Sequence, residues 1–176
     1  ESRHASAAMA AQNVKTDKND ARGIAHIMRA GWYKVVHIKS PESQKIRVLL
    51  NNRKCLQIKM LDITHQIRGT LKVFGLKVGK VSSRDYEYRI RELIRDDEEL
   101  ISYIEPLLII RDQMIRQFEK LDKLIINLAK DDPVCQRFMS IPGVGPLTSL
   151  SFKTAIDQPE RFKKSNKSHF KKAICP

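Results

Sequence analysis

Two carboxylates three residues apart, Asp17 and Asp20, sit in the run Lys15-Thr16-Asp17-Lys18-Asn19-Asp20-Ala21-Arg22. A helical pattern begins there, so both would project from one side of a first turn. Oxygens placed this way can hold a divalent cation, and such a cation can drive phosphodiester chemistry. Acids in a first turn also complement the helix dipole with no metal at all. On these residues alone both accounts stay open.

A second candidate lies far downstream, at Ile141-Pro142-Gly143-Val144-Gly145-Pro146-Leu147-Thr148-Ser149-Leu150. Helical patterns flank it, over 135–140 and 147–156, so it reads as a helix-hairpin-helix. Glycines permit positive φ and let backbone N–H groups approach a phosphate. Lys153, Arg161, Lys163, Lys164 and Lys167 surround the turn with positive charge. Gly143, Val144, Gly145, Lys153, Arg161, Lys163 and Lys164 are therefore the expected nucleic-acid contacts. A plain turn between two helices is the competing account; the basic surroundings favour DNA.

Between these candidates the chain has to supply a scaffold. Thr16 is placed to cap a helix from Asp17 that Gly31 ends. Residues 32–39 read as an extended connector. Ser40-Pro41-Glu42 is a helix start with a capping hydroxyl, Pro at the first position and an acid in the first turn. From there Ile46, Leu49, Arg53, Leu56, Met60, Ile63, Ile67 and Phe74 recur at alternating three and four, with Thr70 in the one gap. A helix from Pro41 to Phe74 would be about 50 Å long. Gly75 and Gly79 break it. Ser83 is the expected cap of the next helix, whose seam reads Ile90, Leu93, Leu100, Ile104, Leu107, Arg111, Met114, Phe118, Leu121, Ile125 and Leu128. Pro106 should split that helix near Tyr103. The expectation is a mainly α chain in three parts: residues 1–40, a long antiparallel helical hairpin (coiled coil) over 41–132, and a C-terminal helix-hairpin-helix over 133–176. Residues 1–40 look too short to bury a full core.

The chain has 176 residues and a net charge of +13, with 41% hydrophobic residues. The excess is uneven. Residues 41–80 carry nine bases against two acids, and residues 81–132 carry nine against thirteen. A basic helix facing an acidic one suggests charge-assisted pairing, and the overall excess points to a polyanion. No apolar run reaches membrane-spanning length, and no signal peptide is evident. Cys55, Cys135 and Cys175 form no CxxC pair, which argues for a reducing cytoplasm and against a structural zinc or disulfide framework.

Taken together, Lys15–Arg22, Trp32-Tyr33, Val36-His37-Ile38-Lys39-Ser40, Arg68-Gly69, Phe74-Gly75-Leu76, Phe138 through Thr148 and Arg161-Phe162 resemble, in order, the DEDD transposases of the IS one-ten family. The likeness runs from about Glu1 to Lys167. It implies a prokaryotic, cytoplasmic, nucleoid-associated recombinase of an insertion sequence. Such a protein has a RuvC-like domain with four acids and Mg²⁺, a coiled coil for homo-oligomeric assembly, a C-terminal domain with a nucleophilic serine, and a bridge RNA that selects DNA sites. Asp17 and Asp20 match the last two acids, as catalytic residues and metal ligands; residues 1–40 would be a remnant of the RuvC-like domain. The first Asp and the Glu would lie upstream of Glu1, and the serine beyond Pro176; Ser165 and Ser168 match no family motif. From Ser168 on the sequence departs from the family, as a shifted reading frame would. The chain also lacks an initiator Met, so it is expected to be truncated at both ends, with Mg²⁺ weakly held or absent. Two functions follow: a transposase whose DNA recombination is inactive in this fragment, or a non-catalytic, helical, dimerising nucleic-acid-binding protein that modulates an intact relative.

Overall fold

The computed structural model describes residues 2–10, 16–33 and 35–162. They are mainly α, with no strand among the described residues. The chain divides into two compact units, residues 1–39 and 40–176.

The first unit holds α1 (Ser2–Met9) and α2 (Asp17–Ala30). Thr16 caps α2, its hydroxyl accepting the Asn19 amide at 3.2 Å. Gly31 ends the helix at φ +69, with the Gly31 and Trp32 amides returning to the Met28 and Ile27 carbonyls. This is the left-handed C-terminal motif that glycine makes cheap. Ile27 is the buried apolar residue of α2, while Met28, Trp32, Val35 and Ile38 stay largely exposed.

The second unit is built on α3 (Pro41–Val73) and α5 (Glu98–Asp131). Ser40 caps α3 and Pro41 opens it. At the other end the Gly75 amide donates to Lys72 and the Leu76 amide to Leu71, with Gly75 at φ +75. Contacts along the pair fix its direction: Ile46 packs with Ile125 and Ala129, Arg53 meets Asp122, Arg111 meets Thr64, and Ile67 and Leu71 pack with Ile104 and Leu108. As α3 ascends α5 descends, so the helices lie antiparallel.

Two corrections to the second helix follow. Its first part, α4 (Tyr86–Ile94), starts after Asp85 rather than at Ser83. Ser82 supplies the local turn, exchanging hydrogen bonds with Asp85 at 2.6 and 3.2 Å, while Ser83 accepts from Arg111 at 3.4 Å. The break between helices comes before Asp97, not near Tyr103. Asp97 caps α5 by accepting the Leu100 amide at 2.8 Å, and Pro106 lies inside a helix that continues past it. A cap satisfies the orphan amides of a new first turn, whereas an exposed proline removes one bond and an intact helix can absorb the loss by bending.

The seam is also shifted by about one position at its ends. Leu71, Leu108 and Ala129 are buried, while Phe74 is 56% and Leu128 42% exposed. Phe74 lies past the end of α3 as its C-cap. Along α5 a stripe at 3.6 residues per turn drifts about 20° per heptad from a strict 3.5 repeat, and burial passes from Leu107 and Leu128 to Leu108 and Ala129. Between α3 and α5 the ion pair among the described residues is Arg53–Asp122 at 2.5 Å. The basic and acidic halves are therefore not zipped by charge. Arg111 is buried with no carboxylate partner among the described residues: it donates to Thr64 at 3.1 Å and stacks 4.3 Å from the Tyr86 ring. Burial pushes the Tyr86 phenol up, and its hydroxyl donates to the Thr64 carbonyl at 3.1 Å.

The C-terminal helices α6 (Pro133–Met139) and α7 (Pro146–Ile156) pack on this pair. Phe138 and Phe152 meet edge to face at 5.1 Å, and Cys135 and Leu150 join the cluster of Ile46 and Ile125. A polar clasp holds the same junction. Asp157 accepts the Ser40 hydroxyl at 2.6 Å and its amide at 3.0 Å. Asp132 caps α6 through the Cys135 amide at 2.9 Å and pairs with Lys153, which also lies 3.6 Å from Glu42. Asp157 takes φ +64 to do this. Burial opposes the Asp132 carboxylate, but the Lys153 ammonium and the Cys135 amide outweigh it and its pKa is lowered. Burial likewise opposes Lys153, and Asp132 outweighs it in raising that pKa.

Two outcomes are expected from this packing. Leu71→Ala should lower stability by about 2–5 kcal/mol and Phe74→Ala by under about 1 kcal/mol, measured by urea unfolding; equal losses would restore the strict heptad. Asp132→Asn should cost about 1–3 kcal/mol at pH 7. A lowered carboxylate stabilises above its unfolded pKa, and the gain is lost as pH falls through the folded one. A raised ammonium loses its contribution only as pH rises past its folded value. The gap between wild type and Asp132→Asn should therefore close below about pH 4 and persist through neutral pH; a gap unchanged at pH 3 would refute the charged clasp.

Candidate nucleic-acid interface

α6 and α7 are joined by a tight turn that begins after Ser140. The Val144 amide donates to the Ile141 carbonyl at 3.1 Å, with Pro142 and Gly143 at the centre and Gly143 at φ +85. Proline followed by a positive-φ glycine defines a type II turn. Only the first glycine needs its conformational freedom: Gly145 has φ −97 and serves as N-cap of α7. Nothing lies within 4 Å of where a Cβ would stand on either glycine, so the backbone is open to a ligand.

The start of α7 leaves donors available. Gly145 has no side chain to cap with, and Pro146 at the first helical position has no N–H. The amides of Leu147 and Thr148 are thus first-turn donors without a side-chain cap, at the positive end of a helix dipole. Such an end favours an anion. Ser149, fully buried, donates to the Pro146 carbonyl at 2.9 Å and steadies the first turn from behind.

The expected cations fare differently. Lys153 is three-quarters covered and held by Asp132 and Glu42, so it braces the hairpin against α3. Arg161 ends a short 3₁₀ turn, Pro159–Arg161, is exposed, and lies 4.7 Å from the Phe162 ring. Lys163 and Lys164 lie outside the described residues. Sequence reasoning did not single out Asp132 and Asp157. The Asp-Pro step at 132–133 was the available signal for the first, being a cap followed by proline. Asp157 had none, since its contact to Ser40 spans 117 residues.

In the other unit, Asp17 and Asp20 occupy the first turn of α2. Asp17 is exposed and Asp20 half-buried. No cluster of three or more His, Cys, Asp or Glu able to hold a metal occurs among the described residues. Cys135 is buried, and burial pushes its thiol up to about 11, so it stays protonated and poorly nucleophilic.

No described helix is long and apolar enough to cross a membrane. No family model matches the chain, and no solved structure matches it. Curated proteins do. Over 158 residues the chain is 30% identical to the transposase for insertion sequence element IS1111A of Coxiella burnetii, covering 86% of this chain and 43% of that protein. Over 152 residues it is 26% identical to the transposase for insertion sequence element IS1328 of Yersinia enterocolitica, covering 81% of this chain and 44% of the relative. The chain spans less than half the length of these relatives, and along most of its own length it is similar to proteins named as transposases of insertion sequences.

Proposed function

We propose that this chain is part of an insertion-sequence transposase, a site-specific DNA recombinase, and that its share of the work is to grip DNA and to assemble. The observation that carries the reading is the 30% identity to the Coxiella transposase over 86% of the chain. The open glycine turn, the two first-turn amides and the exposed Arg161 support a phosphate contact at the hairpin. Lys163 and Lys164 follow Arg161-Phe162 in the sequence. The α3–α5 pair supports assembly: its middle is only half covered, and Val48, Ile58, Leu61, Ile109 and Ile110 face outward. A second copy docking there would make the coiled coil. Bridge RNA is the further partner on this reading, and the prokaryotic nucleoid is the place of action.

Asp17 and Asp20 are proposed as two of the four acids of a RuvC-like site. Mg²⁺ held by a complete site would polarise the phosphodiester. Among the described residues the pair stands without a third ligand, and Mg²⁺ demands near-octahedral oxygen geometry. Two carboxylates do not make that site, so their role in this chain is to present oxygens at the start of α2. The same observation favours a second reading, a non-catalytic nucleic-acid-binding protein that joins mixed assemblies with an intact relative. A strand-exchange assay with Mg²⁺ separates the two: a covalent protein–DNA product from this chain alone would discard the non-catalytic reading.

DNA binding should be steeply salt-dependent and nearly indifferent to sequence, because phosphate contacts dominate. Fluorescence anisotropy on duplexes of unrelated sequence at 50 and 200 mM salt tests this; affinity that survives the higher salt unchanged contradicts it. Lys163→Glu with Lys164→Glu should weaken binding about tenfold or more, and Asp17→Asn hardly at all. A larger loss from the aspartate change would move the DNA site to the acids.

A further inference from the structure

The second unit carries a cleft beside the hairpin. It lies between α3 and α7, with a volume of about 390 Å³, and Arg47, Asn51, Arg53, Lys54 and Gln57 of α3 and Ser151 of α7 are among its lining residues. Among the described residues no carboxylate lines it. Sequence explains the polarity. From Pro41 to Leu61, α3 carries five cations and the single acid Glu42, which faces Lys153. α7 contains no acid.

The cleft's cations are not equivalent. Arg53 is balanced by Asp122 at 2.5 Å and sits 4.5 Å from the Phe118 ring, so it is a wall rather than a free charge. Arg47 and Lys54 are exposed and, among the described residues, have no ion pair. Arg47, Asn51 and Lys54 stand at i, i+4 and i+7 and share one face. They span about 10 Å of helix, the rise of about three nucleotides along one DNA strand. The Gln57 carbonyl oxygen accepts from Arg53 at 3.4 Å, which turns its amide N–H groups away from Arg53. Ser151 donates to the Leu147 carbonyl at 2.7 Å and leaves the α7 side small and uncharged.

Ordinary surface lysines differ from this arrangement in two respects. Neutral amide donors stand among the cations in a concave setting, and the cleft reaches the hairpin through α7. Leu147 and Ser151, both lining it, lie two and six residues beyond Gly145. We propose that this cleft is a second contact for the phosphodiester backbone of duplex DNA, with Arg47 and Lys54 as the phosphate-binding cations and Asn51 and Gln57 as neutral donors beside them. The proposal rests on the DNA-binding reading and adds to it a site on α3. A strand held at the hairpin amides would continue along α7 into the cleft.

The test is anisotropy with the 176-residue chain and a labelled DNA duplex across a salt series. Arg47→Gln with Lys54→Gln should weaken binding about three- to thirtyfold at low salt and reduce the slope of log affinity on log salt by about two. Ser151→Glu, which puts an acid on the α7 side, should weaken binding with Arg47 and Lys54 intact. Lys45→Gln with Lys59→Gln removes equal charge from α3 outside the cleft lining and should change the slope by less. Circular dichroism melting confirms that each variant is folded. Equal losses from the two double variants, or no loss from the cleft variants while a Val144→Glu hairpin variant loses binding, would overturn the cleft and leave the DNA reading standing. No binding by the wild type would overturn the DNA reading itself. A loss seen with an RNA hairpin and not with the duplex would overturn the assignment to DNA.

Discussion

The second unit depends on one apolar stripe shared by two helices of more than thirty residues each. α3 and α5 have no sheet or third long helix to lean on among the described residues, so their pairing rests on the row from Ile46 to Leu71 against the row from Leu100 to Ala129. Each buried Leu or Ile in that row contributes about 1.5–3 kcal/mol. Its two ends are closed differently. At one end α4 lies over Ile67 and Leu71 and brings Tyr86 to Arg111. At the other, α6 and α7 close over Ile46 and Ile125 and are tied to α3 by Asp132, Lys153 and Asp157. The hairpin turn is therefore anchored through the helices on either side of it.

Much of this was legible because the signals are local. Thr16, Ser40-Pro41 and Gly31 announce helix ends through a hydroxyl, a fixed φ or a missing Cβ within one turn. The α3 seam was legible because its apolar residues repeat over nine turns of helix. The failures have equally physical causes. Pro106 is a strong breaker by propensity, yet Asp97 offers a cap, and the helix that starts there continues past the proline. Ser83 had the composition of a cap, but burial of Arg111 drew it into tertiary packing. Strict heptads misplaced Phe74 because α3 ends before it, and Leu128 because a stripe at 3.6 residues per turn drifts off a 3.5 repeat.

At the candidate sites legibility splits the same way. The type II turn follows from Pro142-Gly143 alone, and the placement of Asp17 and Asp20 follows from Thr16. The state of a charge is not local. Lys153 reads as one more cation near the turn, but Asp132 and Glu42 reach it from two other elements and make it a brace. Arg47 and Lys54 read as ordinary solvated residues of a basic helix until α7 is laid beside them.

This pattern bears on how the net charge of +13 is distributed. Had the basic α3 and acidic α5 neutralised one another, little positive field would remain for a polyanion. Instead several acids of the 81–132 segment are matched within their own segment: Arg91 with Glu87 and Glu105, Arg89 with Glu92, Arg116 with Asp112. Among the described ion pairs, Arg53 is the cation in the first half of α3 that draws on α5. The cations of that half thus keep their field toward solvent, beside a hairpin whose amides are open. An apolar seam that does the pairing leaves these charges unneutralised, and the proposed DNA contacts draw on that division.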